Sequence, residues 1–299
     1  MKSQLCAAFL TVLIGSAAQA AFAQGGAPDQ PSVTVRGQTY TPRSILARNM
    51  GTPEDQTTAF PPHKIIGNVY YVGTRTLTAF LITTPQGHIL INSTYERNVR
   101  TIEKSVTALG FKFSDIHILL ATHAHDDHQE GDALLKELTG AQVMVMQEDV
   151  AAAQGIKPGG KTHPIDRILH DGEEVTLGGT TLVAHRTPGH TRGATTWTMK
   201  AMDGGKTYNV VFATSYRAPA TVTPDIENEF NRTFTFIRTL PCDVPLGDHA
   251  AQYNLNDKYA RLKPGAPNPF VDPANCWVEA EIQEAMVRAQ LQQQKSVRP

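Results

Sequence analysis

A cluster of metal-binding side chains directly follows an apolar strand near the middle of the chain. The run Ile116–Leu120 leads into His123, His125, Asp127 and His128. In extended backbone, residues two apart point to the same side, so the first two histidines can reach one metal while the following turn aims Asp127 and His128 at another. Neutral imidazole suits zinc, and a carboxylate makes a harder second position. An isolated histidine is usually a core or surface residue, but this cluster predicts a metal centre.

Several further stretches, taken with the cluster, give the chain a resemblance to a known family. The cluster resembles the signature of the metallo-β-lactamase superfamily, and stretches on either side resemble the opening strands and the second ligand loop of that fold. Two later stretches resemble the third subclass of class B β-lactamases in particular. The stretches are His123-x-His125-x-Asp127-His128, residues 70–74 and 81–91, residues 187–193, residues 240–246 with His249, and residues 265–270.

The resemblance implies an α/β fold: a single-domain αββα four-layer sandwich, in which a helical layer covers each side of two central sheets. The hydrophobic pattern of the chain agrees with it, because strand-like apolar runs alternate with helical periodicity. The predicted helices cover residues 99–109, 131–138, 148–154 and 225–239.

The two ends of the chain outside these runs have less apolar patterning. Residues 24–62 are rich in Gly, Pro, Gln and Thr, and we interpret them as an extended N-terminal arm near the mouth of the site, with one short helix near residues 44–50. Residues 63–299 form the predicted metallo-β-lactamase-like domain. Its last segment, residues 274–294, is polar around much of its circumference and predicts a surface helix.

Two further histidines extend the metal centre. His190 follows a strand in a Pro-Gly-His turn, where glycine lets the backbone approach the metals closely, and His249 also comes just past the end of a strand. We expect two zinc ions per chain, one of them with an open coordination position. The first is held by His123, His125 and His190, and the second by Asp127, His128 and His249.

Two zinc ions make a shared water nucleophilic at neutral pH, because they lower its pKa from about 15.7 towards 7. The resemblance implies that this water attacks the β-lactam amide of penicillins, cephalosporins and carbapenems. Asp127 is the candidate catalytic residue, since a ligand touching the water can orient it or pass a proton on. The chain contains no Gly-x-Ser-x-Gly or Ser-x-x-Lys motif that would indicate a serine nucleophile.

Two residues near the end of a later strand are candidate substrate contacts. Many superfamily hydrolases have a metal-bridging aspartate in this region, where this chain has Thr214 and Ser215. The third subclass typically dispenses with that carboxylate and has serine hydroxyls nearby, so Ser215 is a candidate hydrogen-bond donor to a β-lactam carboxylate. Arg217 stands where a second serine is often found. It would supply a cation for the same carboxylate, the alternative being a solvated surface charge.

Two other positions depart from the family pattern. Asn92 stands where an aspartate usually supports the metal ligands, and Gln129-Glu130 stands where Gly or Ala is more familiar. Both departures bear on efficiency and substrate range more than on fold. Among the remaining histidines, His185 lies on the strand leading to His190 and is a candidate supporting residue. We expect structural or surface roles for His63, His88, His117, His163 and His170.

The N-terminal end has the features of an export signal. Lys2 supplies a positive end, residues 6–14 form a short apolar core, and residues 18–23 offer small-residue cleavage sites. The apolar run is shorter than the roughly 20 residues that span a bilayer. We therefore expect residues 1–23 to be a signal peptide that is removed on export to the periplasm.

Cysteine use fits the same compartment. Cys6 should leave with the signal, so Cys242 and Cys276 either pair in an oxidising periplasm or remain two buried thiols. The resemblance implies a disulfide between them.

Composition excludes some classes of partner. The chain has 27 basic and 28 acidic residues, a formal charge of -1 and 40% hydrophobic residues, which is typical of a soluble globular enzyme. With no basic run interleaved with aromatic residues, we expect neither nucleic acid nor, after signal removal, a membrane as partner. The expected partner is a small β-lactam. The sequence leaves the oligomeric state open, and a monomer is the simplest assumption.

Three alternative functions stay open at this point. Another hydrolase on the same scaffold would act on a lactone or a thioester, although glutathione thioester hydrolysis belongs inside the cell and usually goes with the bridging aspartate. A single-iron dioxygenase can use the same fold with one metal and no ligand role for His128. The third alternative is a zinc-binding module without enzymatic activity.

Overall fold

Residues 31–297 are described in the computed structural model, and they form two central sheets, a small N-terminal hairpin and eight α-helices. The expected signal peptide, residues 1–23, lies outside the described residues, as do the first seven residues of the expected arm. Within residues 31–297, none of the helices has the length and apolar character needed to cross a bilayer.

The first sheet has seven strands, which lie side by side in the order of the sequence. Its first four strands are antiparallel, and its last four are parallel, with helices in the connections. The strands are β3 (His63–Ile66), β4 (Val69–Tyr71), β5 (Phe80–Thr84), β6 (Gly87–Ile91), β7 (Ile116–Leu120), β8 (Gln142–Met146) and β9 (Arg167–Leu169). The helices between them are α2 (Val99–Ala108), α3 (Asp126–Gln129), α4 (Asp132–Thr139) and α5 (Val150–Gly155).

The second sheet has five strands, again in sequence order. Four strands are antiparallel, and the last pairs parallel to its neighbour after a helical crossover. The strands are β10 (Glu174–Leu177), β11 (Thr180–Arg186), β12 (Thr195–Asp203), β13 (Lys206–Ala213) and β14 (Val244–Gly247). The helices that follow β13 and β14 are α6 (Pro224–Ile237), α7 (Leu255–Arg261) and α8 (Val278–Val297).

Apolar side chains alternate between two cores along the central strands. In β6, Ile89 and Ile91 face the core between the sheets, whereas Leu90 packs against α2 on the other face. This period of two is that of extended backbone, and strands covered on both faces become continuous apolar runs. A third core joins α6 to α8 through Phe230, Phe234 and other residues. The four layers are those of the αββα sandwich that the resemblance implies, so that expectation is confirmed.

The N-terminal segment is more regular than an extended arm. From residue 31 it forms a hairpin of β1 (Val33–Val35) and β2 (Gln38–Tyr40), followed by α1 (Pro42–Met50). The expected short helix is therefore present, and Thr41 caps it, since its side chain accepts a hydrogen bond from the backbone of Ser44. Short polar strands such as these carry too little periodicity to be predicted from sequence.

The helix predicted at the C-terminal end is present as α8, but the prediction that it is a surface helix is wrong. α8 buries Ile282, Met286 and Leu291, and it packs against both the hairpin with α1 and α6. Its apolar residues recur three to five positions apart, but alanine and glutamine between them dilute the pattern. The predicted disulfide is present: Cys242 and Cys276 are bonded and join the segment before α8 to the segment before β14.

Candidate metal centre

The six predicted ligands meet at one edge of the two sheets. His123 and His125 follow β7, Asp127 and His128 lie in α3, and the remaining two histidines follow β11 and β14 of the second sheet. Three overlapping groups of candidate ligands result, and within each the ligand atoms all lie within 4.8 Å of one another. Two of them, here called clusters, contain the predicted ligands, and the third is His123, His128 and Asp248. The first cluster is His123, His125 and His190, and the second is Asp127, His128 and His249.

The first cluster presents free ring nitrogens to a common point. Nε2 of His123 lies 3.1 Å from Nδ1 of His125. Nδ1 of His190 lies 2.7 Å from the backbone oxygen of Arg217, and because a carbonyl only accepts, this nitrogen carries the proton. Nε2 of His190 is then free to bind a metal. Burial, with His125 nearby, lowers the pKa of His190 to about 3, and burial also lowers the pKa of His125, so both rings are neutral at pH 7.

The second cluster contains buried polar atoms that lack protein partners. Both ring nitrogens of His128 and Nδ1 of His249 are buried without a hydrogen bond. Oδ2 of Asp127 lies 3.4 Å from Nε2 of His128 and 3.7 Å from Nε2 of His249. Burial opposes the charge of Asp127, but the adjacent His128 outweighs it and holds the pKa of Asp127 well below its usual range. Leaving buried ring nitrogens without a partner costs free energy of folding. A metal cation would bind these nitrogens together with the carboxylate of Asp127, so the donor set fits a metal site.

One buried carboxylate ties the two ligand loops together. Asp149 accepts hydrogen bonds from the backbone of Ala124, at 3.0 Å, and from Thr191 and Gly193, both at 2.7 Å. Ala124 lies between two ligands of the first loop, and Thr191 follows His190 directly. The sequence analysis missed Asp149, because an isolated aspartate after a strand carries no motif.

Asn92 supports the same region from the first sheet. Its backbone is left-handed, with φ of 65°, and its Oδ1 accepts from the backbone of Thr122 at 3.0 Å. The amide oxygen of Asn92 thus fixes Thr122, the residue before the first ligand. The buried Nδ2 of Asn92 has no hydrogen-bond partner in the described part of the chain. Gln129, the other departure, is also buried, in the turn that carries His128.

Packing gives a reason of its own for the glycine beside His190. Gly189 has φ of 134°, and a Cβ placed there would lie 2.6 Å from the ring of Phe230. The glycine therefore permits a turn with positive φ against α6, where close packing against an aromatic ring excludes a side chain.

A second acid missed by the sequence analysis lies beneath the first cluster. Asp248 is fully buried, and its carboxylate accepts from the backbone nitrogen and the hydroxyl of Ser215 at 2.6 and 2.9 Å. Its Oδ2 also lies 3.3 Å from Nδ1 of His123. The only signal in the sequence is its place next to His249 at the end of β14.

A cleft of about 490 Å³ opens over the two clusters. Leu46 and Met50 of α1 line it together with Tyr95 and Ile156, so its lining combines apolar side chains with the polar ones of the clusters. The N-terminal segment therefore lies at the mouth of the site, as expected. Ser215 and Arg217 also line the cleft.

These two candidate substrate contacts differ in their availability. The hydroxyl proton of Ser215 is engaged by Asp248, which weakens its expected role as a donor. Arg217 is half-buried, and no carboxylate among residues 31–297 pairs with its guanidinium.

The other histidines lie outside both clusters. His185 donates to or accepts from Thr198 at 2.8 Å and contacts the ring of Phe236, so no contact links it to the metal ligands. His163 is buried 3.0 Å from Asp132, whose other oxygen accepts from Ser93. The backbone nitrogen of Ser93 in turn donates to the carbonyl of His128 at 3.0 Å. His63, His88, His117 and His170 belong to neither cluster.

Comparison with solved structures places this geometry among known proteins. The native FEZ-1 metallo-β-lactamase from Legionella gormanii is 43% identical, with a TM-score of 0.73, and the match covers 80% of this chain and 97% of that chain. BJP-1 of Bradyrhizobium japonicum, a subclass B3 metallo-β-lactamase, is 33% identical with a TM-score of 0.75, and the match covers 82% of this chain and 99% of that one.

Sequence comparison alone gives shorter matches. Hydroxyacylglutathione hydrolase of Fuscovulum blasticum is 33% identical over 89 residues, which is 30% of each protein. The same-named protein of Pseudomonas aeruginosa LESB58 is 39% identical over 83 residues, 28% of this chain and 27% of that protein, so the chain spans less than a third of these curated relatives. The model of the metallo-β-lactamase superfamily matches residues 72–201. The chain therefore belongs to the metallo-β-lactamase superfamily, in the branch that contains the subclass B3 proteins.

Proposed function

We propose that the chain hydrolyses the β-lactam amide of penicillins, cephalosporins and carbapenems with two zinc ions. The observation that carries the proposal is the pair of three-ligand clusters at the floor of the cleft. It is supported by the likeness to two metallo-β-lactamases over nearly their whole length. The proposed ligands are His123, His125 and His190 at the first position and Asp127, His128 and His249 at the second.

When bound, zinc supplies a Lewis acid for the amide carbonyl and acidifies the attacking water. The ligand histidines must be neutral for this, and burial lowers the pKa of His190, His125 and His249. His128 differs, because burial opposes its charge but the adjacent Asp127 outweighs burial and raises its pKa, so metal binding would have to displace a proton from this ring. In the metal-free chain, His128 and the other nearby histidines keep Asp127 ionised in spite of its burial. Its carboxylate can accept a hydrogen bond from the attacking water and pass the proton to the leaving nitrogen.

The walls of the cleft suit an amphipathic anion. Arg217 offers an unpaired cation to the carboxylate of a β-lactam, and charge-assisted hydrogen bonds of this kind are about twice as strong as neutral ones. Leu46, Met50 and Ile156 offer apolar contact to the acyl substituent on the other side. Orientation between these two surfaces would bring the amide over the metal positions.

We propose the periplasm as the site of action, after removal of residues 1–23. The disulfide between Cys242 and Cys276 supports an oxidising compartment. Glutathione thioester hydrolysis is the second candidate function, because the curated relatives are hydroxyacylglutathione hydrolases.

A substrate panel tests the proposal. Purified protein loaded with zinc should open a chromogenic cephalosporin, a penicillin and a carbapenem, and a chelator should abolish the activity reversibly. Replacing Asp127→Asn should lower kcat/KM at least 100-fold, an effect within the usual range for a general base. Asp257 of α7 is exposed and does not line the cleft, so it provides the control, and Asp257→Asn should keep most of the activity. Zinc-loaded protein that cleaves a glutathione thioester but no lactam would overturn the proposal.

A second variant tests the substrate contact. Arg217→Ala should raise KM for lactams that carry a carboxylate about tenfold, the equivalent of about 1.4 kcal/mol, with a smaller change in kcat. Arg192 is exposed and does not line the cleft, so Arg192→Ala is its control. An unchanged KM in Arg217→Ala would show that its guanidinium is only a solvated charge.

A further inference from the structure

The carboxylate of Asp248 is buried directly behind the first metal cluster. Its two oxygens accept hydrogen bonds from the backbone nitrogen and the hydroxyl of Ser215, and Oδ2 also faces Nδ1 of His123 at 3.3 Å. The side chain has no exposure to solvent. A buried carboxylate is retained in a protein only where it is well paired, and here all of its partners belong to the metal centre.

The surroundings of His123 fix which ring nitrogen carries the proton. Besides Asp248, the hydroxyls of Thr122 and Thr214 each lie 3.3 Å from Nδ1. The hydroxyl of Thr122 donates to Oδ1 of Asn92, and the hydroxyl of Thr214 donates to the backbone oxygen of Thr122. With both hydroxyl protons engaged elsewhere, Nδ1 of His123 faces three acceptors and must itself be the donor.

The opposite nitrogen of His123 is then left with its lone pair. Nε2 points into the first cluster, 3.1 Å from His125. An imidazole binds a metal only through an unprotonated nitrogen, and the hydrogen bond made by the other nitrogen decides which one that is. The charge on Asp248 makes it the strongest of the three acceptors, since the other two are neutral hydroxyls.

The position of Asp248 also relates to the missing bridging aspartate that was noted in the sequence. The end of β13, where many superfamily hydrolases carry a bridging aspartate, has Thr214 and Ser215 instead. β14 runs parallel to β13 with Ala213 opposite Gly247, so the residue after Gly247 reaches the backbone of Ser215. A carboxylate is thus supplied from the neighbouring strand, where it faces Nδ1 of His123 and lies within 4.8 Å of the ligand atoms of His123 and His128.

We propose that Asp248 is a positioning residue for the first metal position, which holds His123 in the Nδ1-protonated form and so sets the zinc affinity there. The inference rests on the proposed ligand set and deepens it. It does not depend on which substrate is hydrolysed: a chain that binds zinc as described but opens no lactam would refute the proposed activity and leave this inference standing. Asp248 acts through His123 and Ser215, because both of its oxygens already accept hydrogen bonds from these residues.

Zinc titration of the full chain is the first test. In competition with a chromophoric chelator, Asp248→Asn should weaken the tighter zinc affinity at least tenfold, the usual size for loss of a partner of a metal-ligating histidine. The matched control is Asp243→Asn. Asp243 stands just before β14 and accepts from the backbone and side chain of Asn209, both at 2.8 Å, away from the ligands. Its replacement should change zinc affinity less than threefold.

Two results would overturn the inference. One is a zinc affinity in Asp248→Asn equal to that of Asp243→Asn. The other is loss of one whole zinc equivalent without change at the remaining position, which would make Asp248 a direct ligand.

A measurement on the native chain keeps the inference testable if the variant fails to fold. Long-range ¹H–¹⁵N NMR of the metal-free protein distinguishes the two neutral forms of each histidine. His123 should carry its proton on Nδ1, and addition of zinc should leave that proton in place. Observation of an Nε2-protonated His123 in the native chain would refute the proposal.

Discussion

Buried aspartates outside the proposed ligand set hold the ligand loops in place. Asp149 takes donors from both the first loop, at Ala124, and the second, at Thr191 and Gly193. If its carboxylate is removed, two backbone N–H groups and a hydroxyl lose their acceptor in the interior. Each buried donor left unsatisfied costs about 1–3 kcal/mol.

Asp149→Ala should therefore destabilise the fold and loosen both loops. We expect at least 2 kcal/mol less free energy of unfolding and a zinc affinity weakened about tenfold or more. Denaturant unfolding and zinc titration measure the two effects. Asp166 also accepts from a backbone nitrogen, that of Val143, but lies on the exposed edge of the first sheet, so Asp166→Ala should leave zinc affinity unchanged. Equal zinc affinities for the two variants would contradict the assigned role.

The sequence predicted the six side chains of the two clusters because their signals are local. Four of them lie within residues 123–128, directly after β7, and the other two follow strand ends. Asp149 and Asp248 were not predictable in this way, since a single aspartate becomes significant only when the fold surrounds it with donors from distant segments. The packing role of Gly189 was not predictable for the same reason, because the ring of Phe230 comes from a helix some 40 residues further along the chain.

The lowered pKa of His190 gives the metal-free protein a definite pH dependence. Its folded pKa is about 3, against about 6.5 for an unperturbed histidine. Between those values the unfolded chain binds a proton that the folded chain does not, so the stability contributed at this site is complete above pH 6.5 and is lost as the pH falls.

Chelator-treated protein should thus lose stability as the pH falls from 6 to 4. One such proton contributes up to about 1.4 kcal/mol per pH unit. Urea unfolding at several pH values should show a shallower slope in His190→Gln than in His170→Gln, where the replaced ring lies outside both clusters. Identical slopes in the two variants would mean that His190 is protonated alike in folded and unfolded states.

At the level of elements, most helices were predictable, including the short helices α1, α4 and α5, whereas several short strands and the packing of the last helix were not. The predicted helices at residues 99–109 and 225–239 correspond to α2 and α6, whose apolar faces recur at helical spacing. The short strands β1, β2, β3 and β9 were not predicted, because three or four residues carry little pattern. α8 was taken for a surface helix, although it closes two of the cores.

The disulfide holds this C-terminal helix against the second sheet. Cys242 and Cys276 are 34 positions apart, and closing a loop of that length stabilises a fold by about 3–4 kcal/mol in the chain-entropy model. The double variant Cys242→Ser with Cys276→Ser should lose stability of that order in denaturant unfolding. Its zinc stoichiometry should stay at the native value, because the bridge lies outside both clusters. A difference below 1 kcal/mol would show that packing alone holds α8.

On the scale of the whole molecule, each cluster draws ligands from both sheets. His123, His125, Asp127 and His128 come from the end of the first sheet, whereas His190 and His249 come from the second. The four-layer arrangement followed from the family resemblance, since hydrophobic periodicity shows which segments are strands but not which strands pair. The two clusters form because the edges of the two sheets lie next to each other.

Zinc should therefore stabilise the entire fold. A ligand at 100 times its Kd adds about 2.7 kcal/mol for each site that exists only in the folded state. Thermal unfolding with zinc and with chelator measures the gain as a difference in Tm. A variant with His123→Gln and His249→Gln lacks one ligand of each cluster and should lose most of that difference. A zinc-dependent Tm that survives in this variant would indicate binding elsewhere.

The placement of each cluster across the seam between two sheets has a consequence for the survival of the protein in its surroundings. With zinc bound as proposed, the ions would link the two sheets. A chain without zinc would unfold more often and be cleaved more readily by proteases. Metal starvation would then lower the amount of folded protein as well as its activity, so the persistence of the protein would follow the local supply of zinc.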